Sequence, residues 1–127
     1  MDIIHKCVIC MGSNTDASSH IGRAKTELSD IFPHIIWGKN ISTEPVGTTC
    51  SNMYINCAAI IYTSLSKESI ALRFKEIERA HGRTGSPAKG LIPLDIDLVI
   101  YDCEVLKPKD IDKAYFKEAL STIRTKE

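Results

Sequence analysis

The chain has 127 residues and balances 16 Lys+Arg against 16 Asp+Glu. A net charge of zero gives no electrostatic ground for nucleic acid or an anionic membrane as a partner, and the length suits one domain, residues 1–127, that buries a core without covalent staples. No apolar run approaches the roughly 18 residues of a membrane span, no basic segment followed by an apolar one opens the chain, and five irregularly spaced cysteines suit a reducing compartment, so a cytoplasmic protein is expected.

Ile3 to Met11 is apolar and β-branched and reads as a central strand. Cys7 and Cys10 within it form a CxxC. Residues three apart on a strand point to opposite faces, so the two thiols are expected to pack in the core rather than share a metal. Gly12-Ser13-Asn14 makes a turn, Thr15 or Asp16 is placed to cap a helix, and Ile21, Ala24, Leu28 and Ile31 recur at helical spacing until Pro33. Ile35 to Ser42 reads as a second strand, residues 43–53 as a loop of turn formers, and Tyr54 to Thr63 as a third strand. Ser64 or Ser66 caps a second helix with Ile70, Phe74 and Ile77 on one face, and Gly82 stops it. A second loop covers residues 84–93, and Leu94 to Tyr101 reads as a fourth strand. Tyr115, Phe116 and Leu120 mark a short final helix. The order β-α-β-β-α-β predicts an α+β, ferredoxin-like fold, an antiparallel sheet with two helices packed on one face.

The sharpest local feature is Leu94-Asp95-Ile96-Asp97-Leu98. Alternation puts Asp95 and Asp97 on one face and Leu94, Ile96, Leu98 and Ile100 on the core face. Two carboxylates aimed at one point repel unless a cation stands between them, and Mg²⁺ is often held by one or two carboxylates plus substrate phosphates. Two solvated aspartates on a half-buried strand are the plainer alternative. Tyr54 and Asn56 also share a strand face. The Asn amide offers a donor and an acceptor in one plane, suited to a heterocycle edge, and the Tyr ring can stack on a flat face. Glu78 and Arg83 close the second helix, where a ligand contact and a solvated helix end are both open. The amides of Gly12-Ser13-Asn14 could bind an anion, although a plain strand-to-helix turn uses the same residues.

Taken in order, Gly12-Ser13-Asn14, Thr43-x-Pro45-x-Gly47, Tyr54-x-Asn56, Ile77-Glu78 with Gly82-Arg83, and Leu94-Asp95-Ile96-Asp97 with Glu104-Val105 resemble the 6-hydroxymethyl-7,8-dihydropterin pyrophosphokinase family over residues 3 to about 112. The resemblance implies transfer of diphosphate from ATP to a pterin hydroxymethyl group in folate biosynthesis. In that picture Asp95 and Asp97 hold two Mg²⁺ ions. Thr43, Val46 and Asn56 bind the pterin edge, and Tyr54 lines its pocket. Glu78 contacts ATP, Arg83 lies on the phosphate side, and Tyr115, at roughly the position of a His-Tyr pair that clamps ATP in the family, also contacts ATP.

The chain also departs from the family pattern. Where a Trp-Gly-Pro-Arg-Thr run is usual, it carries Lys89-Gly90-Leu91-Ile92-Pro93, so Ile92 replaces an arginine and Lys89 is its partial substitute. The chain is also shorter than the family at its C-terminal side. Whether Lys89 or Lys107 restores the charge stays open, as does the choice between an active enzyme, a catalytically impaired pterin- or nucleotide-binding module, and a Mg²⁺-dependent phosphotransferase acting on another acceptor. Oligomeric state is not legible.

Overall fold

The computed structural model describes residues 3–44, 52–82 and 91–123. The first strand, β1 (His5–Ser13), is buried continuously from Cys7 onward. Only a strand covered on both faces can be apolar along its whole length. It pairs antiparallel with β4 (Tyr54–Thr63) on one side and β5 (Asp95–Tyr101) on the other. Beyond β4 lie β2 (Ile35–Trp37) and β3 (Ile41–Thr43), and beyond β5 lies β6 (Glu104–Val105). The helices are α1 (Ala17–Ile31), α2 (Lys67–Ala80), α3 (Pro108–Ile111) and α4 (Ala114–Ser121). With α1 and α2 on one face of the antiparallel sheet, this is the expected ferredoxin-like arrangement.

The helical spacing read from the sequence is what fills the first core. Ile21, Ala24 and Leu28 of α1 and Ile70, Phe74 and Ile77 of α2 pack on Cys7, Ile9, Met11, Cys57, Ala59 and Ile61. Ser66 caps α2 as expected, its hydroxyl accepting from the Ser69 N–H at 3.2 Å. Gly82 follows the helix at φ 89°, a left-handed conformation that favours glycine. The start of α1 differs. Asp16 occupies the cap position at φ 44°, and its side chain caps nothing, because the left-handed backbone is not the extended one from which a cap reaches the helix amides.

The opposite face carries a second core. Val8, Cys10, Ala58, Ile60 and Val99 are covered by Phe116 and Ala119 of α4, the short final helix of the sequence reading. Cys7 and Cys10 thus part to different cores. Burial pushes their thiols up to about 11 and about 12, which keeps them protonated and unreactive.

Two expectations need correction. The stretch Ile35 to Ser42 is not one strand. Trp37 pairs with Ala59 and Ile41 with Asn56, so one residue too many lies between the two pairings. There Gly38 donates to Ala58 O at 2.9 Å, and Lys39 N–H donates to Thr122 Oγ1 at 2.8 Å, seating the end of α4. A Cβ at Gly38 would stand 2.4 Å from Ala119 O, so the break admits the helix. Ile100, expected beside Leu98, instead packs against the second core. The pairing of β1 with β5 slips between Val8 and Ile9, opposite Ile100 and Leu98. Val99 is therefore the extra residue of a bulge, and a bulge resets the alternation.

Candidate active site

Three strands bring the polar residues together on the α4 face. Gly12 of β1 stands opposite Asn56 of β4 on one side and Asp95 of β5 on the other. One step back, Cys10 stands opposite Ala58 and Asp97. Asn56 is 5% exposed. Its Nδ2 donates to Thr43 Oγ1 at 2.8 Å and to Ile41 O at 3.4 Å, which fixes the amide plane. Its Oδ1 lies 3.0 Å from where a Cβ at position 12 would stand, so any larger residue there would press on the amide.

A cavity of about 820 Å³ opens over this row, lined by Thr43, Tyr54, Asn56, Tyr115 and the two aspartates. A groove of about 890 Å³ runs along α2, lined by Lys75, Glu78, Arg79, Lys107 and the same two aspartates. Asp95 and Asp97 are thus the junction of two separate spaces. Glu78 holds the groove's wall in place, its Oε2 accepting from the Ile96 N–H at 2.8 Å, between the two aspartates in sequence.

The loop entering β5 is pinned as well. Asn14 N–H donates to Ile92 O at 3.0 Å, and Ile92 N–H donates to Asn14 Oδ1 at 2.6 Å. Asn52 Nδ2 donates to Asn14 O at 2.9 Å. The Asn14 amide that could have met an anion is therefore engaged within the fold, and the turn acts as a clamp.

The electrostatics of the junction favour a cation. Burial first, and then the neighbouring Asp95 charge, push the Asp97 carboxyl up to about 6. Lys107 opposes that shift, with Nζ 4.0 Å from Asp97 Oδ1. Also on the cavity wall, Asp110 pairs with Lys113 at 3.0 Å, and the Lys113 ammonium lies 5.7 Å from the centre of the Tyr115 ring. Burial is also the main cause that raises the Tyr115 hydroxyl.

Of the residues singled out in the sequence, Thr43, Tyr54, Asn56, Asp95 and Asp97 meet at the cavity, and Glu78 meets the aspartates from the groove. Tyr115 sits with Tyr54 and Asn56 rather than in the groove. Val46, Arg83 and Lys89 lie outside the described residues. Cys10, Asp110 and Lys113 were missed as cavity residues. The tail's pattern signalled only a helix, and nothing local in it shows which sheet face that helix covers.

Among the described residues no group of three or more His, Cys, Asp or Glu is arranged to hold a metal. Two carboxylates at the junction fit a Mg²⁺ ion that completes its shell with water and substrate phosphate oxygens. The site can therefore take a phosphorylated molecule in the groove and a flat, hydrogen-bonding partner in the cavity, with negative charge neutralised where they meet.

A comparison with curated proteins gives no match. The pattern of the 7,8-dihydro-6-hydroxymethylpterin-pyrophosphokinase (HPPK) family matches residues 8–125, nearly the whole chain, and the chain belongs to that family.

Proposed function

We propose that this chain transfers a diphosphate from ATP to the hydroxymethyl oxygen of 6-hydroxymethyl-7,8-dihydropterin, releasing AMP. The observation that carries the reading is the shared position of Asp95 and Asp97 at the junction of groove and cavity. ATP lies along α2 with its phosphates at the aspartates, and the pterin lies in the cavity with its hydroxymethyl group toward them.

The pterin edge meets the Asn56 amide, whose Nδ2 is already committed to Thr43 and Ile41. That leaves Oδ1 to accept from a ring N–H. Tyr54 and Tyr115 line the cavity, where their rings can pack on the heterocycle. Val46 belongs to the same substrate set, and Arg83 and Lys89 to the phosphate side. Glu78 anchors the α2 end to β5 and faces the nucleotide. Asp95 and Asp97 would hold two Mg²⁺ ions, which supply charge neutralisation to the phosphates.

The hydroxymethyl oxygen bonds to the β-phosphorus and loses its proton to water. The bond from the β-phosphorus to the oxygen it shares with the α-phosphorus breaks, and that oxygen leaves on AMP. No protein nucleophile is required, so what the chain contributes is alignment and charge.

The test is AMP release from Mg²⁺-ATP with and without the pterin, on wild type and Asp97→Ala. Pterin-dependent AMP that disappears in the variant is expected. A folded wild type that binds both ligands and forms no AMP overturns the transfer reaction and leaves a binding module.

A further inference from the structure

We infer that Lys107 is a catalytic residue of this site, placing its ammonium on the phosphate chain of the nucleotide at the junction. The inference rests on the diphosphate-transfer reading above and adds a side chain that shares in neutralising the charge of transfer.

The backbone puts Lys107 there. Its N–H donates to Val99 O at 3.3 Å, beside the 2.8 Å bond from Leu106 to the same carbonyl. Its own carbonyl accepts from Asp110 N–H at 3.0 Å at the start of α3. Val99 lies two residues beyond Asp97 on β5, so the turn from β6 into α3 delivers residue 107 next to that carboxylate. The side chain reaches Asp97 Oδ1 at 4.0 Å, within range of attraction but longer than a direct hydrogen bond. The side chain is 52% exposed and lines the groove.

Lys67, Lys75 and Arg79 also line the groove, from α2, whereas Lys107 is the cation that stands against Asp97. Lys67 pairs with Glu104 at 2.8 Å, and Lys113 with Asp110 at 3.0 Å on the cavity side. Ile92, which leads into β5, brings only an aliphatic side chain to the cavity wall. A transferring phosphoryl group spreads negative charge over its outer oxygens, and positive side chains positioned there stabilise it. A long, half-exposed lysine held 4.0 Å from Asp97 is loosely paired and can turn to the phosphate.

The experiment compares wild type with Lys107→Met, which keeps the stem and removes the charge, and Lys107→Arg. Two readouts are taken: steady-state AMP formation, and calorimetric binding of Mg²⁺ with a non-cleavable α,β-methylene analogue of ATP. A kcat reduced on the order of 10²-fold or more in Lys107→Met is expected, with pterin KM within threefold and recovery to within tenfold of wild type in Lys107→Arg. Analogue affinity should fall about tenfold in Lys107→Met.

Unchanged analogue affinity, or kcat within threefold of wild type, overturns the assignment of Lys107. A wild type that binds the analogue through Lys107 and forms no AMP keeps Lys107 as a phosphate contact and removes the transfer reaction. A wild type that does not bind the analogue removes both.

Discussion

Asn56 and Asp95 stand in one row of the sheet, two strands apart, with Gly12 between them. The residue proposed to hold the pterin and the residue proposed to hold the metal are thus spaced by a single backbone. No side chain intervenes, and the Asn56 amide rests against the place where a Cβ would be, at 3.0 Å. Gly12→Ala should push the amide from its bond with Thr43. We expect the pterin KM to rise about tenfold, or ~1.4 kcal/mol, with ATP KM little changed. Equal pterin affinity by fluorescence titration would contradict that arrangement.

Gly38 is where α4 approaches the sheet most closely. An alanine there would place its Cβ 2.4 Å from Ala119 O and 2.8 Å from Thr122 Oγ1. Backbone cannot yield as a flexible side chain can, so α4 must shift. Gly38→Ala is expected to cost ~1–3 kcal/mol, read as a lower urea midpoint. Because Tyr115 and Phe116 ride on the same helix, pterin binding should weaken with it.

Asn14 holds the segment before β5 with two reciprocal bonds to Ile92 while only 2% exposed. Asn14→Ala leaves the Ile92 N–H without its acceptor. A loss of ~1–3 kcal/mol follows, together with faster amide exchange at Ile92.

Two groups give stability opposite pH slopes. The Asp97 carboxyl, raised to about 6 by burial and by Asp95, binds its proton more tightly folded than unfolded. Its contribution is fully present below the unfolded value, near 4, and is lost as pH rises through about 6. Asp97→Asn should therefore stabilise the metal-free protein by ~1–2 kcal/mol near pH 7.5, after allowance for solvent screening, and should give no gain below pH ~4.

His20 works the other way. Its Nδ1 meets His81 Nδ1 at 2.7 Å, and His81 Nε2 in turn meets Glu27 Oε1 at 2.5 Å. A carboxylate only accepts, so His81 donates to Glu27, and His20 donates to the remaining His81 nitrogen when that ring is neutral. Burial first, and then His81, lower the His20 pKa. The unfolded chain then binds the extra proton first, so this contribution is present above about 6.5 and is lost as pH falls through the lowered folded value. His20→Phe should flatten the fall in Tm from pH 7 to 5, whereas an unchanged slope would remove His20 as its source.

Much of this molecule was legible in the order of its residues. Continuous apolar, β-branched runs bounded by turn formers predicted β1 and β4, and 3.6-residue spacing predicted α1 and α2, because burial on both faces or on one is written in each element's own pattern. The Asp-x-Asp pair needed only strand alternation to share a face. Local pattern did not determine how those faces were assigned across the sheet. The extra residue at Val99 turned Ile100 to the second core, and the extra residue near Gly38 split a strand and opened a seat for α4. That seat sends Tyr115 to the cavity beside Asn56, and the turn after β6 sends Lys107 to Asp97. The pairing of β1 with β5 and the seating of α4 at Lys39 join residues 83 to 94 positions apart, where the free energy lies in contacts that no single stretch of sequence contains.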